Sequence, residues 1–454
     1  MAGDLRFTEV VALVLAALIG LATPQPVTIT ASDGTNLACS IVEPDGSPPA
    51  GGWPAVILFH GLGGSHTDME PLATEVLAPA GYASLECDAR GTGASGGVWG
   101  LDGPREDQDA RDLFTWLAAR PEISDTQIGA FGISLGGGAV WNAAAAGVPF
   151  KAIVPVITWT NLQTALAPGG LSKSALLQLL SLAVPTSRWD PDLLAAEPEI
   201  IQGTNPAHVG AIAAARSAAG ALPSISTPTL LVQGRHDFLF DIDQALTAYA
   251  RLAGPKALYV GDLGHLPAPN PQAELPTIYG LAVEWFDHYL LGARNAVPAV
   301  TVAHDPWDGT PTTFASLPRT KTTSVSLPGT TTLTSGRSTT RGARFTGGPH
   351  ETFGDGTVTV HYAKAKGWNH LVAVVKVAGQ PTPVTEGGTL ISHASGIATI
   401  RLMNESVLIP AGKKVTVTLA ATSDAYAIDV PAGSTITLGR VTLKLSVLTK
   451  AVSR

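Results

Sequence analysis

The stretch FGISLGGG, residues 131–138, places Ser134 between Gly132 and Gly136. The apolar run QIGAFGI leads up to the serine, and the small-residue run LGGGAVWNAAAAG follows it. The first run predicts a buried strand and the second predicts a helix. A G-x-S-x-G pattern between a strand and a helix is typical of a nucleophile elbow, a sharp turn that exposes the serine hydroxyl and needs small flanking residues. Ser134 is therefore the candidate nucleophile.

Apolar runs and helical patterns alternate on both sides of this turn. Buried strands are predicted at AVILFHG, YASLECD, AIVPVIT, TLLVQG and KALYVG, with helices between them. This alternation predicts an α/β fold with a mainly parallel sheet and helices on both faces. Two earlier runs, VTITAS and LACSIVEP, flank Asp33 and Gly34 and predict a hairpin.

One connection in this pattern is unusually long. About seventy residues, rich in Ala and Leu, separate the strand that ends near Thr158 from the strand that begins near Thr229. We interpret residues 159–222 as a helical cap inserted into the α/β domain. Its apolar composition favours a role as the wall of a substrate pocket.

The composition changes after about Asn295. Short β-branched runs such as TVTVHYAKA and KKVTVTLAAT then alternate with Gly, Pro and Asn turns. This pattern predicts an all-β sandwich over residues 296–454 and leaves residues 23–295 as the α/β domain. Two roles stay open for the β-domain, which are binding a polymer surface and covering one side of the active site. We favour the covering role.

A serine nucleophile needs a base that takes its proton and an acid that orients the base. Asp237 follows the strand TLLVQG, and His265 follows the strand KALYVG. Sites on parallel sheets form at these carboxyl ends of strands. The order serine, acid, histidine also matches the nucleophile-elbow enzymes. We predict a triad of Ser134, Asp237 and His265, with Asp262 as an alternative acid.

The oxyanion of the reaction needs backbone N–H donors. We predict one donor at Leu135, the residue after the nucleophile, and the other at Leu62 in the loop FHGLGGS. Gly61 leaves room for this loop beside the substrate, and His60 is predicted to brace the loop. The chemistry requires no metal and no organic cofactor.

The motif DARGTGASGG, residues 88–97, is the other dense cluster of glycine and charge. We predict that Asp88 and Arg90 hydrogen-bond the Gly-rich loop around Leu62. Their expected role is to position the floor of the site rather than to touch the substrate.

The N-terminus carries the apolar run VVALVLAALIGLA, residues 10–22. The run is too short to span a bilayer comfortably, so no stable membrane span is expected. It ends in a small-x-small pattern that is typical of signal-peptide cleavage. We predict a signal peptide over residues 1–22 and a secreted or cell-envelope protein. Asp4 and Glu9 argue against this reading, and an apolar helix kept in the mature chain is the alternative.

The composition limits the classes of partner and the cysteine pairings that are expected. The 454 residues carry a net charge of −8 with no long basic run, which indicates a small-molecule or peptide substrate and no nucleic-acid partner. The two cysteines, Cys39 and Cys87, cannot form a disulfide framework. Buried free thiols are favoured over a single bridge. The sequence does not predict the oligomeric state.

Several motifs together carry a resemblance. HGLGG, DARGTGAS, GISLG and GDLGH follow the pattern of the α/β-hydrolase superfamily in order. WNHLVAVVKV and GIATIRLMNESVLIPAGKKVTVTLAAT are similar to a C-terminal jelly-roll module. The chain after its first 22 residues thus resembles the X-Pro dipeptidyl-peptidase (S15) and cocaine-esterase-like hydrolases. The resemblance implies an α/β-hydrolase fold with a jelly-roll domain and a serine hydrolase that forms an acyl-enzyme.

Two features depart from that group. Leu135 stands where the group commonly has Tyr, and Leu62 offers only a backbone donor where several members use a Tyr hydroxyl. An exopeptidase also needs acidic side chains for a free amino terminus, but the acidic residues of the cap fit helix capping and solvated surface better: Asp190, Asp192, Glu197 and Glu199. We therefore expect an ester or amide hydrolase with an apolar acyl group. An X-Pro aminopeptidase, an acyltransferase and a non-catalytic envelope binding protein are the alternatives.

Overall fold

The computed structural model describes residues 22–453. The predicted signal peptide lies outside the described residues, except for Ala22. Within residues 22–453, no helix has both the length and the apolar character needed to cross a membrane.

A ten-stranded sheet is the centre of the α/β domain, in the order β1-β2-β4-β3-β5-β6-β7-β8-β9-β10. Strands β3 to β9 run parallel, and β1, β2 and β10 are antiparallel to their neighbours. The predicted hairpin at Asp33 and Gly34 is formed by the first two strands. The bounds are β1 Gln25–Thr30, β2 Asn36–Val42, β3 Trp53–Phe59, β4 Ala83–Cys87, β5 Ile123–Ile133, β6 Ile153–Val156, β7 Thr229–Gly234, β8 Lys256–Gly261, β9 Val300–Val302 and β10 Thr312–Phe314.

Helices cover both faces of this sheet and bury its apolar strands in two separate cores. Strand β6, the apolar run IVPV, is buried along its whole length, as a continuous apolar run in a parallel sheet should be. The helices are α1 Glu70–Leu72, α2 Pro104–Ala118, α3 Leu135–Ala145, α4 Leu162–Leu166, α5 Ser174–Leu180, α6 Pro191–Gln202, α7 Pro206–Ala214, α8 Ile242–Arg251 and α9 Leu275–Leu291. A π-helical turn, Ala73–Leu77, continues α1.

The long connection between β6 and β7 forms the helical cap, with α4 to α7 and short 3₁₀ turns between them. Asp190 caps α6 by accepting hydrogen bonds from the backbone N–H groups of Asp192 and Leu193 at 2.9 and 3.3 Å. Carboxylates are favoured at this position because the first N–H groups of a helix have no partner within the helix.

The β-domain is a sandwich of two antiparallel sheets around its own apolar core. One sheet has the order β11-β20-β14-β17, with β12 and β18 paired at its margins, and the other has the order β13-β19-β15-β16. The bounds are β11 Thr320–Leu327, β12 Thr331–Thr334, β13 Thr339–Arg344, β14 His350–Lys366, β15 His370–Val377, β16 Thr385–Leu390, β17 Gly396–Leu402, β18 Leu408–Ile409, β19 Lys414–Ala420 and β20 Thr435–Leu448.

The sheet of the α/β domain extends past the predicted domain boundary at residue 295. Strand β9 pairs with β8, and β10 pairs with β9, so the sheet ends at Phe314. These two edge strands are short and rich in Thr and Val, like the sandwich strands. Composition therefore groups them with the β-domain, although their hydrogen bonds place them in the first sheet.

Cys39 and Cys87 form a disulfide, so the expectation of free thiols is wrong. They face each other across the antiparallel pair of β2 and β4, although 48 residues separate them in the chain. Local pattern does not reveal that these two strands are neighbours. Disulfides persist in oxidising compartments, which agrees with export, although export itself stays a prediction.

A buried ion pair joins the two domains. Arg235, at the end of β7, donates to Glu351 of β14 at 2.5 Å, and both side chains are fully buried. Arg235 also donates through Nε to the carbonyl oxygen of Ser406 at 2.7 Å. Glu351 accepts further hydrogen bonds from the backbone N–H groups of Val452 and Ser453. The pair therefore has the hydrogen-bond partners that a buried charge requires.

We expect Glu351→Ala to lower the free energy of unfolding by about 3–5 kcal/mol, because it leaves the buried charge of Arg235 without a partner. Glu43→Ala is the matched control, since Glu43 pairs with Arg120 at 3.2 Å in a partly exposed position and should cost about 1 kcal/mol or less. Urea unfolding of the two variants measures the difference. Equal losses of unfolding free energy in the two variants would contradict the conclusion that Glu351 pairs a buried charge on Arg235.

Candidate active site

Ser134 occupies a strained turn between β5 and α3. Its backbone has φ 55° and ψ −115°, a conformation that a side chain other than glycine rarely adopts. The surrounding structure holds this conformation by two hydrogen bonds. The N–H of Ser134 donates to the carbonyl oxygen of Val156 at 2.9 Å, and the hydroxyl of Thr158 donates to the carbonyl oxygen of Ser134 at 2.8 Å.

The two glycines of the motif are required by space. A Cβ at Gly132 would collide with the backbone of Gly136, and a Cβ at Gly136 would collide with the carbonyl group of Phe59 at the end of β3. The start of α3 thus lies directly against the neighbouring strand. This close approach aims the serine side chain at the carboxyl edge of the sheet.

Ser134, His265 and Asp237 form a hydrogen-bonded chain. Ser134 Oγ lies 2.7 Å from His265 Nε2, and His265 Nδ1 lies 2.8 Å from Asp237 Oδ2. A carboxylate only accepts hydrogen bonds, so Nδ1 carries the ring proton and Nε2 is free to accept the proton of the serine hydroxyl. The structure therefore brings together the three residues that the sequence predicts, in the geometry that a serine nucleophile needs.

Asp237 is fully buried, whereas the His265 side chain is 23 % exposed. The second carboxylate oxygen of Asp237, Oδ1, accepts hydrogen bonds from the backbone N–H groups of Leu239 and Phe240, each at 3.0 Å. The Phe240 ring packs edge to face against the His265 ring, with centroids 5.1 Å apart. These contacts hold both residues in place.

The alternative acid, Asp262, has other partners. Its Oδ2 accepts a hydrogen bond from the backbone N–H of Trp307 at 2.7 Å, and its Oδ1 lies 3.6 Å from Arg235 Nε. Asp237 is thus the carboxylate that contacts His265.

The two predicted oxyanion donors flank the serine. Leu135 is the first residue of α3, where the backbone N–H has no acceptor within the helix. The loop that carries Leu62 passes beside Ser134, since a Cβ built on Gly61 would lie 3.7 Å from the Ser134 Cβ. Across the described part of the chain, neither of the two leucine N–H groups donates to another backbone or side-chain group. Both remain free for a substrate.

His60 holds the loop that carries Leu62 through hydrogen bonds of its ring nitrogens. It is buried, its Nδ1 lies 2.7 Å from the carbonyl oxygen of Gly61, and its Nε2 accepts a hydrogen bond from the backbone N–H of Ala89 at 3.0 Å. Burial lowers the pKa of His60, which favours the neutral ring that this bonding pattern requires. Both ring nitrogens are therefore occupied within the protein.

Asp88 connects the DARGTGASGG motif to the residues after the Gly-rich loop. Its carboxylate accepts hydrogen bonds from the backbone N–H groups of His66 and Ala94 at 2.8 and 2.7 Å. Burial acts to raise the pKa of Asp88, but these two hydrogen bonds, together with the His66 ring 2.8 Å from the carboxylate, outweigh it and lower the pKa. The ionised carboxylate thus fastens one loop to the other.

The prediction that Arg90 hydrogen-bonds the Gly-rich loop is wrong. Its guanidinium instead makes two hydrogen bonds to Asp109 of α2, at 2.7 and 2.5 Å, and one to Asp33 at 3.1 Å. Arg90 therefore joins helix α2 to the β1–β2 hairpin. Its motif position did not reveal this, because both partners are distant in the sequence.

An apolar pocket lies between the Leu62 loop and the cap. Its walls include Leu62, Trp99, Leu166, Leu180 and Trp189. The two tryptophan rings pack edge to face, with centroids 5.1 Å apart. Sequence reasoning missed both of them, since Trp99 follows a Gly-rich motif and Trp189 lies in a cap loop, and neither position has a regular hydrophobic period.

One group among residues 22–453 has metal-ligand chemistry. His236, Asp262 and Asp305 offer ligand atoms within 4.8 Å of one another. His236 Nε2 already lies 3.3 Å from Asp305 Oδ1, and the Arg235 guanidinium lies 3.6 Å from Asp262. Since Arg235 and His236 already contact the two carboxylates, the group fits a side-chain network within the protein, and no step at Ser134 involves it.

Comparisons with known proteins agree with this geometry. Residues 33–267 match the family model described as X-Pro dipeptidyl-peptidase (S15 family). An Escherichia coli protein described as an uncharacterized 31.7 kDa protein in the traX-finO intergenic region is 32% identical over 129 residues, 28% of this chain and 45% of the relative. The chain thus matches less than half the length of this curated relative.

Three solved structures share the fold over both domains. A CocE/NonD family hydrolase from Staphylococcus aureus has a TM-score of 0.68 at 14% identity, covering 95% of this chain and 98% of its own. An aminopeptidase from a marine sediment Thaumarchaeota archaeon has a TM-score of 0.70 at 12% identity, covering 94% and 97%. An alpha-amino acid ester hydrolase has a TM-score of 0.71 at 14% identity, with the same coverage. At these identities the likeness concerns the fold alone.

The fold and the serine–histidine–aspartate chain define the class of this protein, which has the α/β-hydrolase fold with a nucleophile elbow and a C-terminal β-domain. The family model covers more than half of the chain. The chain therefore belongs to the X-Pro dipeptidyl-peptidase (S15) family, and the resemblance found in the sequence motifs is confirmed.

We expect Gly136→Ala to lower kcat/KM for an ester by about 100-fold or more, since the collision with Phe59 displaces Ser134 and a displacement of about 1 Å has an effect of this size. Gly280→Ala is the control, because Gly280 lies in α9 with no atom near its would-be Cβ, and alanine favours a helix. Steady-state hydrolysis of a p-nitrophenyl ester measures both. Full activity of the Gly136 variant would contradict the packing argument.

Proposed function

We propose that the protein hydrolyses carboxylic esters or amides through an acyl-enzyme on Ser134, and that its preferred substrate is an ester with an uncharged apolar acyl group. The observation that carries the proposal is the hydrogen-bonded chain of Ser134, His265 and Asp237 next to an apolar pocket. Leu62 belongs both to the predicted oxyanion hole and to the pocket wall.

The reaction follows from the geometry. Ser134 Oγ forms a bond to the carbonyl carbon of the substrate while His265 Nε2 takes the hydroxyl proton. Asp237 stabilises the imidazolium cation through Nδ1, and the N–H groups of Leu62 and Leu135 stabilise the oxyanion. His265 then gives its proton to the leaving alcohol or amine as the bond to the carbonyl carbon breaks.

Deacylation repeats these steps with water. Water attacks the acyl-enzyme carbonyl while His265 Nε2 takes a water proton, and the carboxylic acid leaves as Ser134 regains the proton. An alcohol in place of water would give acyl transfer, which is the acyltransferase alternative.

The pocket supports an apolar acyl group. Two of the cap's acidic residues already have protein partners, since Asp190 caps α6 and Glu199 lies 2.6 Å from His208 on the exposed surface. Most residues that line the pocket are apolar, and these include Leu166, Leu180 and the two tryptophans. Burying apolar acyl carbons there contributes about 0.8 kcal/mol for each CH₂.

An X-Pro aminopeptidase is the second candidate. Family membership supports it, and Glu197 lines the same pocket, where its carboxylate offers a partner for a free amino terminus. Hydrolysis of a prolyl p-nitroanilide with a free but not a blocked amino terminus, lost in Glu197→Gln, would favour this candidate over the ester reading.

We expect a fluorophosphonate probe to label the wild type, and Ser134→Ala to abolish labelling and to lower kcat by about 10⁴-fold or more. Ser181→Ala is the matched control, because Ser181 lines the pocket but donates its hydroxyl hydrogen to Gln178. It should be labelled like the wild type. A folded wild type that is not labelled would support the non-catalytic binding protein instead.

We expect Leu166→Trp to shift the best substrate toward shorter acyl chains, because the larger ring fills the pocket. A series of p-nitrophenyl esters of rising chain length measures the shift in kcat/KM. Leu182→Trp controls for the added ring, since Leu182 is 80% exposed on the cap, and its chain-length profile should match the wild type. An unchanged chain-length profile for Leu166→Trp would contradict the proposal that this pocket binds the acyl group.

A further inference from the structure

We propose that Lys173 is a positioning residue for catalysis, which holds Asp237 through two peptide groups, and that the β-domain fixes both ends of the segment that contains them. The segment, residues 235–242, is called the acid loop below. The inference rests on the proposed function, because it concerns the acid of that same site.

Lys173 reaches the acid loop from the cap. It precedes α5, its side chain is 1% exposed, and its Nζ donates to the carbonyl oxygens of Phe238 and Leu239 at 2.8 and 2.9 Å. A buried ammonium group needs such partners, because burial without them is very costly. Lys173 thus connects the cap to the backbone beside Asp237.

The same two peptide groups donate to Asp237. The peptide between Phe238 and Leu239 gives its oxygen to Lys173 and its N–H to Asp237 Oδ1, and the peptide between Leu239 and Phe240 does the same. Each peptide group is thus polarised by an ammonium at one end and a carboxylate at the other. Hydrogen bonds in such a chain strengthen one another. Lys173 therefore supports the orientation of Asp237 without touching it.

The β-domain holds the two ends of the acid loop. At the start, the N–H of Ser406 donates to the carbonyl oxygen of Arg235 at 2.9 Å, and Arg235 Nε donates back to Ser406. At the end, the N–H of Asn404 donates to Asp241 Oδ2 at 2.8 Å, and the N–H of Ile242 donates to the carbonyl oxygen of Asn404 at 3.0 Å. Three consecutive residues, 404–406, therefore span the loop.

Buried carboxylates surround the Lys173 ammonium from two elements. Asp237 and Asp241 face it from the acid loop, and Glu386 and Glu405 face it from the β-domain. Burial raises the pKa of Asp241 to about 6 and that of Glu386 to about 7, and it raises the pKa of Glu405 well above its usual range. Burial also lowers the pKa of Lys173, and the nearby carboxylates act against that lowering.

A double-mutant cycle tests the proposal. Lys173→Met keeps an unbranched side chain that is one atom shorter than lysine, suits a buried site, and removes both hydrogen bonds. We expect it to lower kcat for p-nitrophenyl butyrate by about 10- to 100-fold with KM changed less than about threefold, the range for lost electrostatic support of a catalytic group. In an Asp237→Asn background the same substitution should lower kcat less than about threefold, because the group it supports is already lost.

Val375→Ala is the control for stability alone. Val375 is fully buried in the core of the β-sandwich, so the variant should lower the melting temperature and leave kcat within about twofold in both backgrounds. A kcat of Lys173→Met equal to the wild type would overturn the proposal. Equal losses with and without Asp237 would overturn it as well, because they would assign Lys173 a structural role only.

If Lys173→Met does not fold, the contacts between residues 404–406 and the acid loop are tested by substitutions at Asp241. Asp241→Ala removes the acceptor for the N–H of Asn404, and Asp241→Asn keeps an acceptor oxygen. We expect a lower kcat for the alanine variant and recovery with asparagine, and equal activity of the two would overturn the proposal. A wild type that neither hydrolyses the ester nor reacts with the fluorophosphonate would overturn the proposed function, which separates that failure from this one.

Discussion

The arrangement of the whole molecule depends on one fully buried carboxylate, that of Asp237. An ionised group without water is stable only if hydrogen bonds and nearby positive charge replace its hydration. Asp237 has two backbone N–H groups on Oδ1 and the His265 ring on Oδ2. The two N–H groups belong to Leu239 and Phe240 in the same loop, and His265 follows the neighbouring strand β8. Lys173 of the cap and residues 404–406 of the β-domain contact that loop, so the sheet, the cap and the β-domain all contribute to the position of the carboxylate.

The β-domain does more than cover one side of the active site, because it also contacts the loop that carries Asp237. It contacts the α/β domain through the buried pair of Arg235 and Glu351, and through residues 404–406 on the acid loop. Since Arg235 lies only two residues before Asp237, the contact that joins the domains also ends next to the site. The covering role favoured from the sequence is compatible with this arrangement, but the contacts with the acid loop explain why the two domains are fused.

Chemistry and specificity reside in different parts of the chain. The nucleophile, the base and the acid follow β5, β8 and β7 of the sheet, whereas the proposed acyl pocket is formed by the cap and two loops. The cap residues that line the pocket are distinct from Lys173, the cap residue that contacts the acid loop, so the pocket wall can change while that contact is kept. Membership of the S15 family therefore supports the reaction more strongly than it supports a particular substrate.

The sequence by itself determined the alternation of strands and helices, the nucleophile elbow at Ser134, and the order of Asp237 and His265 after it. These features depend on local periodicity, on glycines that leave room for a turn, and on strand ends that lie at a common edge. Only the tertiary structure decided the Cys39–Cys87 disulfide, the partners of Arg90 and the contact of Lys173 with the acid loop. Each of these joins residues far apart in the chain, and their pairing depends on which strands and domains become neighbours on folding, which local pattern does not encode.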